Sequence, residues 1–311
     1  FLSSNEITLK SLINLGFTLI EIDELIRLLK LSTKKNDVHL MVNDPLKYIE
    51  AIKKLNIEFY FSANYKNELS LYFGKEKFID DIYSNVDLLI AIGGDGSYIS
   101  TAKQAAIHKK PVLCINAGNL AFLAGLEGNE LHLLEKLLTD DFSTDKRMML
   151  EVSVKNFDGS EFISYCLNDV AIARGNEIKL IDLDAFCDNR KINSYRADGV
   201  ILATPTGSTA YSWSAGGPVI DPDLQCITLT PICTHSPLNR SLVFNEKSVI
   251  TVKSAQKNQK ICVSADGEKS IELSDDFEVI IKKSEYYAEF IRIKSDEFYD
   301  ILNSKLSQRR I

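Results

Sequence analysis

Apolar and polar positions follow two different rhythms along this chain, and the change falls near residue 145. In the first part, near-continuous apolar runs alternate with stretches of helical spacing. Val86-Asp87-Leu88-Leu89-Ile90-Ala91-Ile92 stops at Gly93-Gly94, and Pro111–Asn116 is a second run of this kind. Runs without polar alternation mark strands buried on both faces, as in a parallel sheet. Ser97–His108 between them reads as a helix. Val38–Val42 and Ile57–Phe61 read as further strands, and Pro45–Leu55 and Phe78–Ser84 as helices. Ahead of these, Ser4-Asn5-Glu6 offers a helix cap and Leu25-Ile26-x-Leu28-Leu29 has helical spacing. The alternation predicts an open α/β sheet over 1–144, with ligands at the C-terminal ends of the strands.

Beyond this point the apolar runs shorten and turn signals separate them. They are Met149–Lys155, Glu161–Val170, Asp182–Cys187, Lys191–Tyr195, Gly199–Thr204, Ile227–Thr230, Ser248–Lys253, Lys260–Ala265 and Phe277–Lys282. Phe157-Asp158-Gly159-Ser160, Cys187-Asp188-Asn189-Arg190 and Asp266-Gly267 supply the turns. Only Ser208–Ala215 offers much helix. The pattern predicts an all-β domain over 145–287, two packed sheets forming a β-sandwich. Phe290–Ile293 then reads as a last strand and Asp296–Leu306 as an amphipathic helix. This final segment, 288–311, is expected to pack back on the α/β domain.

Composition narrows the function classes. The chain has 311 residues, enough for two domains with separate cores. A formal charge of -7 leaves no cationic excess to neutralise a nucleic-acid backbone, though a bound nucleotide needs only a few local donors. The six cysteines are scattered without a C-x-x-C, as expected for reduced thiols in the cytoplasm. Ser11–Ile20 is too short and interrupted to span a membrane, and the acidic Glu21, Asp23 and Glu24 that follow suit no targeting segment. No internal repeat is visible. The expected protein is cytoplasmic, with neither nucleic-acid nor membrane partners.

Two glycine-rich stretches carry the chemistry. In the first, a buried strand runs into Gly93-Gly94-Asp95-Gly96-Ser97 and then a helix. Glycines allow backbone N–H groups to face an anion, and the helix N-terminus adds partial positive charge. A carboxylate beside a phosphate is otherwise repelled, so Asp95 is better placed to meet a hydroxyl or a divalent cation. A tight turn with a capping Asp is the bland alternative. The motif resembles the G-G-D-G-[ST] signature of 6-phosphofructokinases, diacylglycerol and sphingosine kinases, and NAD kinases, which all transfer a phosphoryl group to a hydroxyl.

The second stretch runs from Asp198-Gly199 through Thr204-Pro205-Thr206-Gly207-Ser208-Thr209-Ala210-Tyr211 to Ser214-Ala215-Gly216-Gly217-Pro218. Pro205 fixes a turn, Gly207 permits close approach, and Ser208 and Thr209 are suited to capping the next helix while offering hydroxyls to a ligand. Tyr211 presents an aromatic face for a purine, or else fills a core. The lone Trp213 reads as packing. This stretch resembles the signature of NAD kinases. So do Asn116-Ala117-Gly118-Asn119-Leu120-Ala121-Phe122-Leu123, Leu167-Asn168-Asp169-Val170 and Thr230-Pro231-Ile232-Cys233, in order, over roughly residues 86 to 306.

The resemblance implies a Rossmann-like first domain and phosphorylation of NAD at the 2′-hydroxyl of its adenosine ribose by ATP or polyphosphate. It implies Mg²⁺ or another divalent metal, delivered with the nucleotide and not held in a protein metal site, and a homodimer or homotetramer. Asp95 is the implied catalytic base. The implied nucleotide-binding residues are Gly93, Gly94, Gly96, Ser97, Asn116, Phe122, Asn168, Asp169, Asp198, Thr209, Ala210, Tyr211 and Ser214. Lys179 and Arg196 match ligand-proximal positions, with a solvated surface role equally open for Lys179. The chain departs from the family pattern at Ala121, where Gly is usual, at Thr234, and at Glu268, where Gln is common and which is carried over only weakly. Both substrates are expected in a cleft between the domains. The competing expectations are a lipid or sugar kinase sharing the first motif, and a sensor that binds the dinucleotide without turnover.

Overall fold

The computed structural model describes residues 17–21, 46–66, 74–117, 121–155, 161–273, 275–294 and 298–308. The strand expected at Val38–Val42, the features at Ser4–Glu6 and Leu25–Leu29, and the turn at Phe157–Ser160 lie outside these residues. The chain forms two compact units, one built from residues up to Lys146 together with Ala288 onwards, the other from Arg147–Tyr287.

The first unit contains β1 (Phe17–Glu21), α1 (Leu46–Lys54), β2 (Glu58–Ser62), β3 (Phe78–Ile79), β4 (Leu88–Gly93), α2 (Asp95–Ile107), β5 (Val112–Asn116) and β6 (Leu126–Glu127). The strands pair in parallel, in the order β5-β4-β1-β2-β3, with β6 on β5. Every residue of β4 and β5 is buried, which is why their sequences show no polar alternation. Ile52, Phe61, Ile90, Ile92, Leu113 and Ile115 belong to one core. A 3₁₀ segment at Leu131–Leu138, absent from the sequence reading, adds Leu134 and Leu137. Phe78–Ser84 is not a helix: after β3 the chain turns, and the buried Phe78 and Ile82 mimic a helical stripe only by being four residues apart.

The second unit carries two sheets. One includes β7 (Ser143–Lys155), β8 (Glu161–Cys166), β10 (Ile181–Cys187), β11 (Arg190–Ala197), β15 (Ile250–Ser254) and β18 (Glu278–Arg292). The other runs β14 (Leu242–Asn245), β13 (Cys226–Ile232), β12 (Gly199–Ala203), β9 (Asp169–Arg174), β16 (Ile261–Ala265) and β17 (Ile271–Leu273), antiparallel throughout. Leu150, Leu183, Val252 and Ile281 of the first sheet share one core with Ile172, Val200, Leu229 and Val263 of the second. An α/β unit and a mostly antiparallel β-sandwich bear out the expected fold class.

Three further element assignments change. Glu161–Val170 is two strands, interrupted at Leu167-Asn168. Phe277–Lys282 and Phe290–Ile293 are parts of one long run, because β18 continues through Ser284–Ala288 before its Phe290 pairs in parallel with Val112. Ser208–Ala215 breaks into a 3₁₀ turn, Thr206–Thr209, and the single-turn α3, Tyr211–Ser214. The chain ends in α4 (Phe298–Gln308). All six cysteines are free. No helix among the described residues is long and apolar enough to cross a membrane.

Candidate functional site

In the first unit, β4 delivers the chain to the Gly93–Ser97 turn. The Gly93 carbonyl is held inside, accepting the buried Tyr98 hydroxyl at 2.7 Å and the Ala117 N–H at 3.0 Å. Gly94 precedes α2 in an extended conformation (φ −125°, ψ −177°) that any residue adopts, and no side chain caps the helix. Among the described residues, a Cβ built on Gly94 or on Gly96 meets nothing within 4 Å. Neither backbone strain nor internal packing therefore calls for glycine at these two positions. What they leave is open space at the N-terminus of a 13-residue helix, where N–H groups and the helix dipole favour an anion. Ser97 lies on the same turn, half-buried.

Asp95 is the first residue of α2, and its carboxylate has backbone partners. It accepts the Phe122 N–H at 2.9 and 3.1 Å and the Leu123 N–H at 3.2 Å. Arg292 holds the same loop by its carbonyls, donating to Leu123 at 3.2 Å and Ala124 at 3.1 Å while pairing with Asp145 at 3.0 Å. The segment at 121–124 is thus stretched between a carboxylate and a guanidinium, and Ala121 within it is buried. Asn116, across from Gly93 in the β4–β5 register, is also buried, and its amide donates to Glu127 at 2.8 Å. Sequence reasoning missed Arg292 and Glu127, which act through partners distant in the chain and carry no motif. Gly118, Asn119 and Leu120 lie outside the described residues.

In the second unit, a cavity of about 370 Å³ gathers Asn168, Asp169, Ala210, Tyr211, Asp266 and Gly267. The backbone that forms it is packed tightly. Thr204 ties the two halves together: its N–H reaches the Asn168 carbonyl at 2.9 Å and its hydroxyl the Leu167 carbonyl at 2.6 Å. The Gly207 N–H then donates to that hydroxyl at 3.0 Å. A Cβ on Gly207 would overlap the Asn168 backbone, so this turn admits only glycine. Tyr211 is 45% exposed, which removes the core-aromatic alternative.

Asp169 is 5% exposed at the start of β9. Burial first, and then the negative charge of Asp266, push its carboxyl up to about 7, against the lowering effect of a hydrogen bond from the Tyr211 N–H. Asp266 sits in the turn after β16, where it and Gly267 have φ of 50° and 71° and the Glu268 N–H closes onto the Ala265 carbonyl at 3.0 Å. Its carboxylate accepts the N–H groups of Leu167, Asn168 and Asp169 at 2.9, 2.8 and 3.1 Å. The sequence flagged the Asp-Gly turn but gave Asp266 no role.

The hydroxyls of the glycine-rich stretch behave differently from expectation. Ser208 is buried, and its hydroxyl joins the Ile220 backbone instead of capping a helix. Thr209 bonds the Thr206 carbonyl at 3.3 Å, and neither the 3₁₀ turn nor α3 has a side-chain cap. The short α3 starts at Ala210, whose φ and ψ of −97° and −126° leave no capping geometry for Ser208 or Thr209. Ser214 is exposed, as is Glu268.

Lys179 and Arg196 do not line this cavity. They meet in a second one, of about 360 Å³, together with Arg174, Lys257 and Lys260. Lys179 is 82% exposed and lies 3.7 Å from Glu177. The exposed Arg196 is fixed by its backbone, which donates to Ser236 at 2.9 Å and accepts the His235 N–H at 2.9 Å. Asp198 pairs with Arg174 at 2.7 Å, a neutralising partner that the sequence reading overlooked. Among the described residues, no group of three or more His, Cys, Asp or Glu side chains is arranged to hold a metal.

Comparison with known proteins follows the same division. Residues 21–142 match the family model of the ATP-NAD kinase N-terminal domain, and residues 167–293 that of the ATP-NAD kinase C-terminal domain. The chain is 40% identical over 231 residues to the NAD kinase of Thermoanaerobacter sp. (strain X514), covering 74% of this chain and 81% of that one. It is 37% identical over 229 residues to the NAD kinase of Geobacter sulfurreducens, covering 73% and 80%. Yeast NADH kinase, solved with NADH, shares the fold at a TM-score of 0.79 and 24% identity, over 95% of this chain and 89% of that one. An NAD kinase from Archaeoglobus fulgidus, solved with ATP, matches at 0.65 and 25% identity, over 94% and 98%. An open glycine turn beside a carboxylate, a second Gly-rich turn packed behind Asn168-Asp169, and relatives over most of its length together make this chain a member of the NAD kinase family.

Proposed function

We propose that this protein transfers the γ-phosphoryl group of ATP to the 2′-hydroxyl of the adenosine ribose of NAD, giving NADP and ADP. Family membership supports the reaction, and ATP is favoured over polyphosphate because the Archaeoglobus relative was solved with it. The observation that carries the residue assignment is the unfilled space at Gly94 and Gly96 next to Asp95. That space takes the donor phosphates against the N-terminal N–H groups of α2. Asp95 accepts the proton of the ribose hydroxyl as its oxygen bonds to the γ-phosphorus. The bond from phosphorus to the β,γ-bridging oxygen breaks, and ADP leaves.

A divalent cation, entering as part of the donor, supplies charge neutralisation at the phosphates; the described donor set offers no cage of its own. Asn168 both donates and accepts, and so suits ribose hydroxyls and the adenine edge. Asp169, titrating near neutrality, is able to act as donor or acceptor beside it. The exposed face of Tyr211 offers purine stacking worth about 1–3 kcal/mol. Purified protein with Mg-ATP is given NAD, diacylglycerol and fructose 6-phosphate in parallel reactions. NAD alone is expected to be phosphorylated; a phosphorylated lipid or sugar with no NADP overturns the assignment.

A further inference from the structure

Asp266 has an arrangement that none of the site assignments uses. One carboxylate collects three successive backbone N–H groups, from Leu167, Asn168 and Asp169, nearly a hundred residues away in sequence. The turn is tied back a second time, because the Asp266 N–H donates to the Asp169 carbonyl at 2.8 Å. These bonds fall at the break between β8 and β9, where Leu167-Asn168 leaves the ladder and its N–H groups need partners from elsewhere. Asp266 therefore sets two things at once: the path of the backbone that carries Asn168 and Asp169, and a negative charge against the buried Asp169.

We infer that Asp266 is a positioning residue for the acceptor: by holding the Leu167–Asp169 backbone it presents Asn168 and Asp169 to NAD. This inference rests on the functional reading above. The groups acting on Asp169 are the Asp266 carboxylate from the turn after β16 and the Tyr211 N–H from α3. Asp266 touches no substrate in this account; it acts through its neighbours.

The test uses two variants that separate shape from charge. Asp266→Asn keeps the size and suits the positive φ, but it removes the charge and one acceptor oxygen. Asp266→Glu keeps the charge and lengthens the arm. For D266N the KM for NAD is expected to rise about tenfold or more with kcat changed less than about threefold, the pattern of lost binding. The inflection of kcat/KM that belongs to Asp169 is expected to move to lower pH, because the charge that retained its proton is gone. D266E is expected to raise KM while leaving the inflection where it was. A KM within about twofold of wild type in both variants, or an unmoved inflection in D266N, overturns the inference. If D266N does not fold, the KM of D266E decides the geometry. Wild type forming no NADP counts against the functional reading instead, and calorimetric binding of NAD to wild type and D266N then still decides the role of Asp266.

Discussion

The two glycine-rich turns look alike in sequence and do opposite jobs. At Gly94 and Gly96 the missing side chains face empty space, and the backbone is one that any residue adopts. At Gly207 the missing side chain is filled by the Asn168 backbone, and at Gly217 by Ser212 and Thr230. At the first turn neither strain nor packing among the described residues calls for glycine, and the space left is the one the proposed donor phosphates would use. The second is glycine because the chain packs against itself, so that the Asn168-Asp169 pair is supported from behind. The candidate site of the second unit is then built of side chains, and that of the first of backbone N–H groups and one carboxylate.

Three substitutions break or sharpen this contrast. Gly207→Ala forces a methyl into backbone and is expected to cost about 3 kcal/mol or more, read as a lower denaturation midpoint or as loss of soluble protein. A variant as stable as wild type would show that this turn is not close-packed. Gly96→Ala is expected to do the reverse. An exposed glycine early in a helix gains up to about 1 kcal/mol on becoming alanine, while the KM for ATP rises about tenfold because the methyl occupies the donor's space. An unchanged KM for ATP would remove the cradle at Gly96.

The third substitution acts on pH-dependent stability. An ordinary Asp titrates near 3.8 and Asp169 at about 7. Between these values the unfolded chain has released a proton that the folded chain keeps, so stability falls as pH rises through the window. Asp169→Asn removes that loss. Its gain in Tm over wild type is expected to be small near pH 4, to grow towards pH 7 and to level off above it. A gain independent of pH would mean that the Asp169 proton contributes nothing.

Much of this was legible in the chain because the relevant signals are local. The β4–turn–α2 unit announces itself as an apolar run ending in glycines, since both strand faces are buried. Asn168, Asp169, Ala210 and Tyr211 were named from sequence, and they line one cavity. What escaped was set by long-range partners. Asp266, Arg174, Arg292 and Glu127 are ordinary charged residues until the fold brings Leu167–Asp169, Asp198, Leu123-Ala124 and Asn116 to them. Ser208 was misjudged for the same reason, as its partner Ile220 lies beyond α3. The helix expected at Phe78–Ser84 failed because two buried residues four apart satisfy a helical period without any helix.

The measurement that bears most directly on the central claim is the steady-state rate of NADP formation by Asp95→Asn beside wild type, with Mg-ATP and NAD both saturating. Removing a general base typically costs 10²–10⁴-fold, and a loss in kcat of about that size is expected, with the KM for NAD within about threefold of wild type. The Asn side chain still offers one oxygen to the Phe122 and Leu123 N–H groups, so the loop keeps part of its hold. A loss in kcat of less than about tenfold would contradict Asp95 as the base.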